Sequence, residues 1–173
     1  MTKKDILNIT KNLSLLYVED DKSMQTTSVE LFENFFQNIT IASDGLEALS
    51  LYKNRKIDVI ITDISMPHMD GIELIKQIRN IDPTIPIVVY SALNDPTLMS
   101  ACVSLNVDAY LLKPMKSKNF MDVLEKMTLK VIFNDDSSNL DIIKKIESRF
   151  DTDELTGVKS YALLSDIIDN LTP

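Results

Sequence analysis

Acidic side chains stand at the ends of two apolar runs, an unusual place for ionised groups. The run at residues 59–61 leads into Asp63, and the run ending at Val18 leads into Glu19 and Asp20. If the two runs form neighbouring strands, two or three carboxylates converge, and they cannot all stay ionised unless a cation joins them. Carboxylate oxygens suit Mg²⁺ that keeps several of its waters. The pattern therefore predicts a magnesium site.

Two further polar groups follow apolar runs in the same way. Ser91 ends the next run along the chain, and Lys113 ends the last one. A carboxylate beside Mg²⁺, with a lysine and a hydroxyl to hold incoming oxygens, has the parts needed to form an aspartyl-phosphate. Taken singly, an Asp at a strand end is usually a helix cap, and Lys before Pro114 indicates only that a strand stops. Their joint occurrence favours Asp63 as a nucleophile.

Strand-like runs alternate with segments of helical spacing. The runs occupy residues 13–19, 38–42, 58–63, 86–92 and 108–113. Runs that are apolar throughout are typical of parallel strands buried on both faces. Asp70 with Glu73 forms a capping box, and Asp95 precedes a proline at a first helical position. Five βα units predict a doubly wound α/β sheet with right-handed crossovers.

Composition excludes several classes of function. The 173 residues carry a formal net charge of −8, which argues against a nucleic-acid-binding face. No apolar run approaches the roughly 20 residues of a membrane span, and polar residues interrupt the N-terminus where a signal peptide would be apolar. Cys102 is the only cysteine and is expected to be a small buried hydrophobe. We therefore expect a cytoplasmic protein without membrane or nucleic-acid partners.

Together these residues resemble the receiver domain of bacterial two-component response regulators. The resemblance covers about residues 13–131 and implies a flavodoxin-like five-stranded fold. Its motifs are the acidic pair Glu19 and Asp20, the segment DISMPHMDG with Asp63, the pair Ser91 and Ala92, Tyr110, and Lys113 before proline. The essential positions of the family are all present.

The resemblance implies a role for each matched position. Asp63 would accept a phosphoryl group from a sensor histidine kinase or phosphotransfer protein. Asp20, Asp63 and the Ser65 backbone carbonyl would ligate Mg²⁺, and Glu19 would act through a metal-bound water.

The remaining matched residues would sense and hold the phosphoryl group. Ser91, beside Ala92, and Tyr110 would form the switch pair, in which the hydroxyl moves toward the phosphoryl group and the ring turns inward. Lys113 would bind a phosphoryl oxygen, and its bond to Pro114 is expected to be cis.

A phosphatase of the haloacid dehalogenase type is the rival enzyme hypothesis. That family also uses a strand-end Asp, a hydroxyl, a Lys and Mg²⁺. It needs a second Asp two residues after the nucleophile, however, and Ser65 stands there. The phosphatase family also lacks an acidic pair on an earlier strand, whereas this sequence has Glu19 and Asp20.

The C-terminal part predicts a linker at residues 132–150, with helical spacing, and the start of another domain at 151–173. Asp153, Leu155, Thr156 and Gly157 match the opening of GGDEF diguanylate cyclase domains, whereas Ser160 and Tyr161 stand where Asn and Arg are usual. The output would then be cyclic di-GMP synthesis in the parent protein. This chain stops short of any cyclase catalytic motif, so we expect of it only magnesium-dependent self-phosphorylation and dephosphorylation. The alternative is a stand-alone receiver that docks on a protein partner.

The last predicted helix of the receiver carries an apolar seam, formed by Phe120, Leu124, Met127 and Val131. Most of this seam is expected to pack on the domain's own sheet. Its later residues would project past the sheet and support a homodimer when Asp63 is phosphorylated. Residues 1–12 form an N-terminal extension, for which the sequence predicts no role.

Overall fold

A computed structural model of the chain describes residues 3–115 and 117–134. Helices and strands alternate along them: α1 (Lys3–Thr10), β1 (Ser14–Val18), α2 (Lys22–Phe32), β2 (Asn38–Ala42), α3 (Gly45–Asn54), β3 (Val59–Thr62), α4 (Gly71–Ile81), β4 (Ile87–Ser91), α5 (Pro96–Ser104), β5 (Ala109–Leu112) and α6 (Ser117–Asn134). The predicted GGDEF-like segment, and the predicted linker beyond residue 134, lie outside the described residues.

The strands form one parallel sheet in the order β2-β1-β3-β4-β5. Every side chain of β3 and β4 is buried, as the apolar runs predicted. The register pairs Val18 with Thr62, so the residues that follow them, Glu19 and Asp63, leave the sheet side by side. The five-stranded doubly wound fold predicted from the sequence is confirmed.

Two apolar layers hold the helices on opposite faces of the sheet. Side chains that point to one face, such as Leu15 and Tyr17, pack with α1, α2 and α6. Their strand neighbours, such as Leu16 and Val18, pack with α3, α4 and α5. Successive strand residues point to opposite faces, so a wholly apolar strand supplies both layers.

Four aspartates begin four of the helices. Asp21, Asp44, Asp70 and Asp95 accept hydrogen bonds from backbone N–H groups in the first turns of α2, α3, α4 and α5. These groups have no partner within their helices, so the caps fix where each helix starts. The predicted caps Asp70 and Asp95 are confirmed.

The N-terminal extension is part of the fold. Residues of α1 pack against α6, and Ile6 and Thr10 are buried. Phe120, Leu124 and Met127 of the apolar seam are buried, and Val131 packs against the same core. The expectation that the later residues of the seam would be free for a partner is therefore wrong, because α1 and the domain's own core cover them.

A half-buried arginine closes the end of the sheet opposite the acidic residues. The Arg79 guanidinium donates hydrogen bonds to the carbonyls of Leu105, Ile85 and Asn106. Asp108 lies 3.7 Å from Arg79 and 2.7 Å from Lys130 of α6. This network ties α4 and α6 to the segments that enter β4 and β5.

Gly71, the first residue of α4, passes against the strand end that carries Asp63. Its N–H donates to the Ile64 carbonyl at 2.9 Å. A Cβ at this position would overlap the Asp63 carbonyl oxygen and lie 2.9 Å from the Ile64 Cα. Only glycine lets the helix start so close to the strand.

Gly71→Ala is expected to lower the free energy of unfolding by about 1–3 kcal/mol, because an added methyl in a packed site forces the backbone to shift. Chemical denaturation measures the loss. The exposed Asn80 of the same helix supplies the control, since Asn80→Ala should stay within about 0.5 kcal/mol of the wild type. Equal stabilities of the two variants would contradict the close approach at Gly71.

Candidate functional site

Three charged side chains from separate strands meet at the carboxyl edge of the sheet. Glu19 and Asp63 follow the neighbouring strands β1 and β3, and both are buried. Lys113 follows β5 and reaches across β4 to both of them. Its Nζ lies 2.5 Å from Glu19 Oε2 and 2.6 Å from Asp63 Oδ2. The structure therefore brings together the carboxylates and the lysine that the sequence predicted.

The Asp63 carboxylate is held from a second side by the backbone that follows it. Its Oδ1 accepts hydrogen bonds from Ile64 N at 2.5 Å and from Ser65 N at 3.4 Å. The Asp63 N–H continues the sheet by donating to the Val18 carbonyl at 3.0 Å. A side chain fixed by both the backbone and an ammonium group is pre-organised, as a nucleophile must be.

The other acidic residues of the first strand end take different positions. Asp20 is exposed, and its carboxylate forms no hydrogen bond with any residue that the structure describes. Asp21 caps α2 through Met24 N. Within residues 3–115 and 117–134, no group of three or more His, Cys, Asp or Glu side chains is arranged to hold a metal ion. Glu19 and Asp63 are instead paired with Lys113.

Burial and ion pairing act in opposite directions on these groups. Burial raises the pKa of Glu19, and the hydrogen bond from Lys113 only partly offsets this effect. Burial lowers the pKa of Lys113, but its hydrogen bonds to Asp63 and Glu19 outweigh burial and leave that pKa raised. The lysine thus remains an ammonium at neutral pH. One ammonium lies between the carboxylates of Glu19 and Asp63, and the exposed Asp20 follows Glu19 directly in the chain. Three carboxylates to one ammonium are an acidic excess, which a divalent cation fits.

The predicted switch residues lie on the neighbouring strands β4 and β5. Ser91 is buried, and its hydroxyl accepts a hydrogen bond from Leu93 N at 3.4 Å. Tyr110 Oη donates to the Leu93 carbonyl at 2.8 Å. Burial raises the pKa of Tyr110, while the nearby Ser91 hydroxyl acts against this. The serine and the tyrosine are therefore adjacent, and both contact the loop that starts at the exposed Ala92.

The loop between β3 and α4, which carries the exposed Ser65, is anchored on α3. His68 adopts a left-handed backbone conformation with φ 62°, and its Nδ1 lies 2.9 Å from Asp44 Oδ2. Gly45 N donates to the Met69 carbonyl at 3.1 Å. These contacts hold the chain that follows the predicted nucleophile. The peptide bond between Lys113 and Pro114 is cis, as expected.

Two residues that contact Glu19 were missed in the sequence. Tyr17 Oη donates to Glu19 Oε2 at 3.1 Å, and the Gln25 side-chain amide donates to the Glu19 carbonyl. Tyr17 was interpreted only as part of an apolar run. The available signal was its spacing, because residues two apart in a strand point to the same face.

The family of the chain follows from comparison with known proteins. The sequence profile described as "Response regulator receiver domain" matches residues 15–125. This chain belongs to the response regulator receiver family. The phosphatase alternative is thereby set aside, and the receiver fold is the one that the geometry shows.

Relatives of this receiver include stand-alone and multidomain proteins. The chemotaxis protein CheY of Listeria monocytogenes is 30% identical over 115 residues, which cover 66% of this chain and 97% of the relative. The transcriptional regulatory protein ZraR of Escherichia coli O157:H7 is 30% identical over 115 residues. There the match covers 66% of this chain but only 26% of the relative. The chain thus spans about a quarter of the length of that regulator.

Solved structures agree on the fold. A Francisella response regulator receiver domain is 31% identical, with a TM-score of 0.61 over 69% of this chain and 98% of its own. A chain of the CheX-CheY-BeF3-Mg complex of Borrelia burgdorferi is 29% identical, with a TM-score of 0.61 over 65% of this chain and 86% of its own. No helix that the structure describes is long and apolar enough to cross a membrane.

Glu19→Gln is expected to raise the free energy of unfolding of the metal-free receiver by about 0.5–2 kcal/mol at neutral pH, because it replaces a buried carboxylate with a neutral amide. Replacing a residue that a functional site keeps at a cost in stability often has an effect of this size. The pKa of Glu19 is higher in the folded protein than in the unfolded chain. The wild type therefore loses stability as the pH rises from the unfolded pKa through the folded one. The gain should therefore vanish below the ordinary pKa of 4.5.

Urea unfolding in chelator, at neutral and acidic pH, measures this gain. Glu30→Gln is the control, because Glu30 is an exposed glutamate on α2. A wild type at least as stable as Glu19→Gln at neutral pH would contradict the proposed cost of burying this carboxylate.

Proposed function

We propose that this receiver accepts a phosphoryl group on Asp63 from a sensor histidine kinase or a phosphotransfer protein. The observation that carries the proposal is the Asp63 carboxylate at the sheet edge, 2.6 Å from the Lys113 ammonium and held by two backbone N–H groups. One carboxylate oxygen attacks the phosphorus, and the bond between phosphorus and the donor breaks. The donor leaves with the electron pair of that bond.

Lys113 has two successive partners in this step. Before the transfer its ammonium neutralises Asp63 and Glu19. As Asp63 becomes an acyl phosphate it loses its own charge, and the new phosphoryl oxygens carry the negative charge instead. The Lys113 ammonium then binds a phosphoryl oxygen. This contact stabilises the negative charge that develops during the transfer.

Asp20, Asp63 and the Ser65 carbonyl would hold Mg²⁺, and Glu19 would act on it through a water. Receiver domains bind Mg²⁺ in their active sites, and the uncompensated negative charge beside Lys113 supports the same role here. When bound, Mg²⁺ would supply positive charge that offsets the negative charge of the phosphoryl oxygens.

Ser91 and Tyr110 would couple phosphorylation of Asp63 to a conformational change at the protein surface. In the present arrangement both contact Leu93 in the loop after β4. A phosphoryl oxygen would offer the Ser91 hydroxyl a stronger, charged acceptor. Movement of Ser91 would free the space beside Tyr110, which can then turn inward.

The protein should become phosphorylated by acetyl phosphate, only with Mg²⁺ and only on Asp63. Asp63→Asn removes the nucleophile but keeps its size, so incorporation of radiolabelled phosphate should be lost. Lys113→Ala should slow labelling roughly 10²- to 10³-fold, the usual effect of removing one group that stabilises developing charge. Asp20→Ala should mimic chelation.

Asp21→Ala is the control, because Asp21 is also an exposed carboxylate and caps α2. It should keep its labelling rate. Label that persists on Asp63→Asn, or that appears in chelator, would refute the assignment of the site.

A second candidate function concerns the output. We propose that the parent protein is a diguanylate cyclase controlled by this receiver. The support is the match of residues 153 and 155–157 to the opening of GGDEF domains, which lies outside the described residues. The full-length gene product should convert GTP to cyclic di-GMP faster with beryllofluoride than without it. A product that binds DNA and leaves GTP unchanged would contradict this output, and a regulator such as ZraR shows that other outputs occur among relatives.

We also propose that phosphorylation promotes a homodimer, through β5 and α5 rather than the covered seam of α6. Tyr110 and Leu112 lie two residues apart in β5 and so point to the same face. Leu112 is 41% exposed, and Val103 of α5 is 74% exposed. A change at Tyr110 would therefore occur on the same strand face as an exposed apolar side chain.

Beryllofluoride should tighten self-association about 5- to 150-fold, the usual range of a coupling between two sites. Sedimentation velocity over a concentration series measures the dissociation constant in each state. Val103→Asp should abolish the tightening, whereas Ser104→Asp, on the neighbouring exposed position, should reduce it less. Identical constants with and without beryllofluoride would favour the docking of a different protein partner.

A further inference from the structure

Tyr17 is a buried residue whose hydroxyl group reaches the proposed phosphorylation site. Its side chain is fully buried in β1, under the carboxyl edge of the sheet. Its hydroxyl donates to Glu19 Oε2 at 3.1 Å, and the same oxygen lies 2.5 Å from Lys113 Nζ. Lys113 in turn binds Asp63 Oδ2 at 2.6 Å. A continuous hydrogen-bonded chain therefore runs from the core of the domain to the predicted nucleophile.

The aromatic ring of Tyr17 is fixed by packing. Phe32 of α2 contacts it edge to face, with 5.0 Å between ring centroids and 82° between planes. Phe32 itself packs on Phe120 of α6 at 5.5 Å. The ring has few alternative positions in such a close-packed layer. Its hydroxyl is thus presented to Glu19 from a rigid support.

The first turns of α2 add polar contacts to the same strand end. Gln25 is buried, and its side-chain amide donates to the Glu19 carbonyl. Ser28, also buried, lies against the Tyr17 phenol. Burial raises the pKa of Tyr17, and the neighbouring Glu19 carboxylate raises it further. The phenol therefore stays protonated and acts as a donor.

We propose that Tyr17 is a positioning residue that holds the Glu19 carboxylate in the orientation needed for Mg²⁺ binding. The role rests on the proposed function of the site. Glu19 would contribute to the metal through a water, so its carboxylate has no direct metal bond to orient it. Its orientation comes from the protein, and the hydroxyl of Tyr17 and the ammonium of Lys113 are the donors that contact it.

Tyr17→Phe tests this role, because it removes the hydroxyl and keeps the ring. The apparent dissociation constant for Mg²⁺ alone, from calorimetry or NMR titration, should rise roughly three- to tenfold, since a lost hydrogen bond to an ionised group is felt only in part by the metal. The labelling rate with acetyl phosphate at saturating Mg²⁺ should stay within about twofold of the wild type, because the variant retains every group that contacts the phosphoryl group.

The matched control is Tyr52→Phe. Tyr52 on α3 donates to Asp82 Oδ2 at 3.1 Å, the same kind of bond at the same length, but both residues lie outside the site. If the Tyr17 hydroxyl had only a structural role, both variants would have a lower free energy of unfolding and neither would have a changed Mg²⁺ affinity. That result, with a wild type that binds Mg²⁺ and is phosphorylated, would overturn the role of Tyr17.

A double-mutant cycle tests whether Tyr17 affects the Mg²⁺ affinity through Glu19. In a Glu19→Ala background, Tyr17→Phe should have no further effect on Mg²⁺ affinity, since the acceptor is already gone. A full additive loss would show that Tyr17 does not act through Glu19 and would overturn the proposal. A wild type that neither binds Mg²⁺ nor becomes phosphorylated would instead refute the proposed function on which this role depends.

Discussion

The ion pairs of Lys113 with Glu19 and Asp63 are the interaction on which the site depends. Two buried carboxylates on adjacent strands would repel each other and lose hydration without a cation between them. The ammonium, 2.5 Å from one and 2.6 Å from the other, offsets part of this repulsion and lost hydration at the sheet edge. It also places a donor where phosphoryl oxygens would arrive. The same side chain thus stabilises the resting fold and, under the proposed function, would also bind the incoming phosphoryl group.

Strand register is what brings these groups together. Val18 pairs with Thr62 across β1 and β3, so the next residues emerge in line. Lys113 comes from β5, two strands away from β3, and only a long side chain can span β4. The Lys113 N–H continues the ladder by donating to the Ser91 carbonyl at 2.9 Å. Backbone hydrogen bonds therefore set the geometry of the charged groups, and the helices need only hold the strands in place.

The sequence was sufficient for the strands, the order of the site residues and the helix caps at Asp70 and Asp95. Each depends on local rules: apolar runs, turn chemistry, and the convergence of parallel strand ends. The packing of α1 on α6 could not be predicted, because it depends on which of several apolar surfaces meet in three dimensions. The burial of most of the α6 seam was predicted, but the packing of its later residues was not, for the same reason. Tyr17 was missed because an aromatic residue in a buried strand usually serves only packing.

Glu19 shows how function and stability conflict in this fold. Burial disfavours its ionised form, yet the proposed metal site requires that form. The protein offsets part of the cost with two donors to the carboxylate, the Lys113 ammonium and the Tyr17 hydroxyl. An apolar or amide side chain here would suit the metal-free fold better. The polar groups buried around this residue are therefore best explained by the chemistry at the sheet edge, since packing alone would not select them.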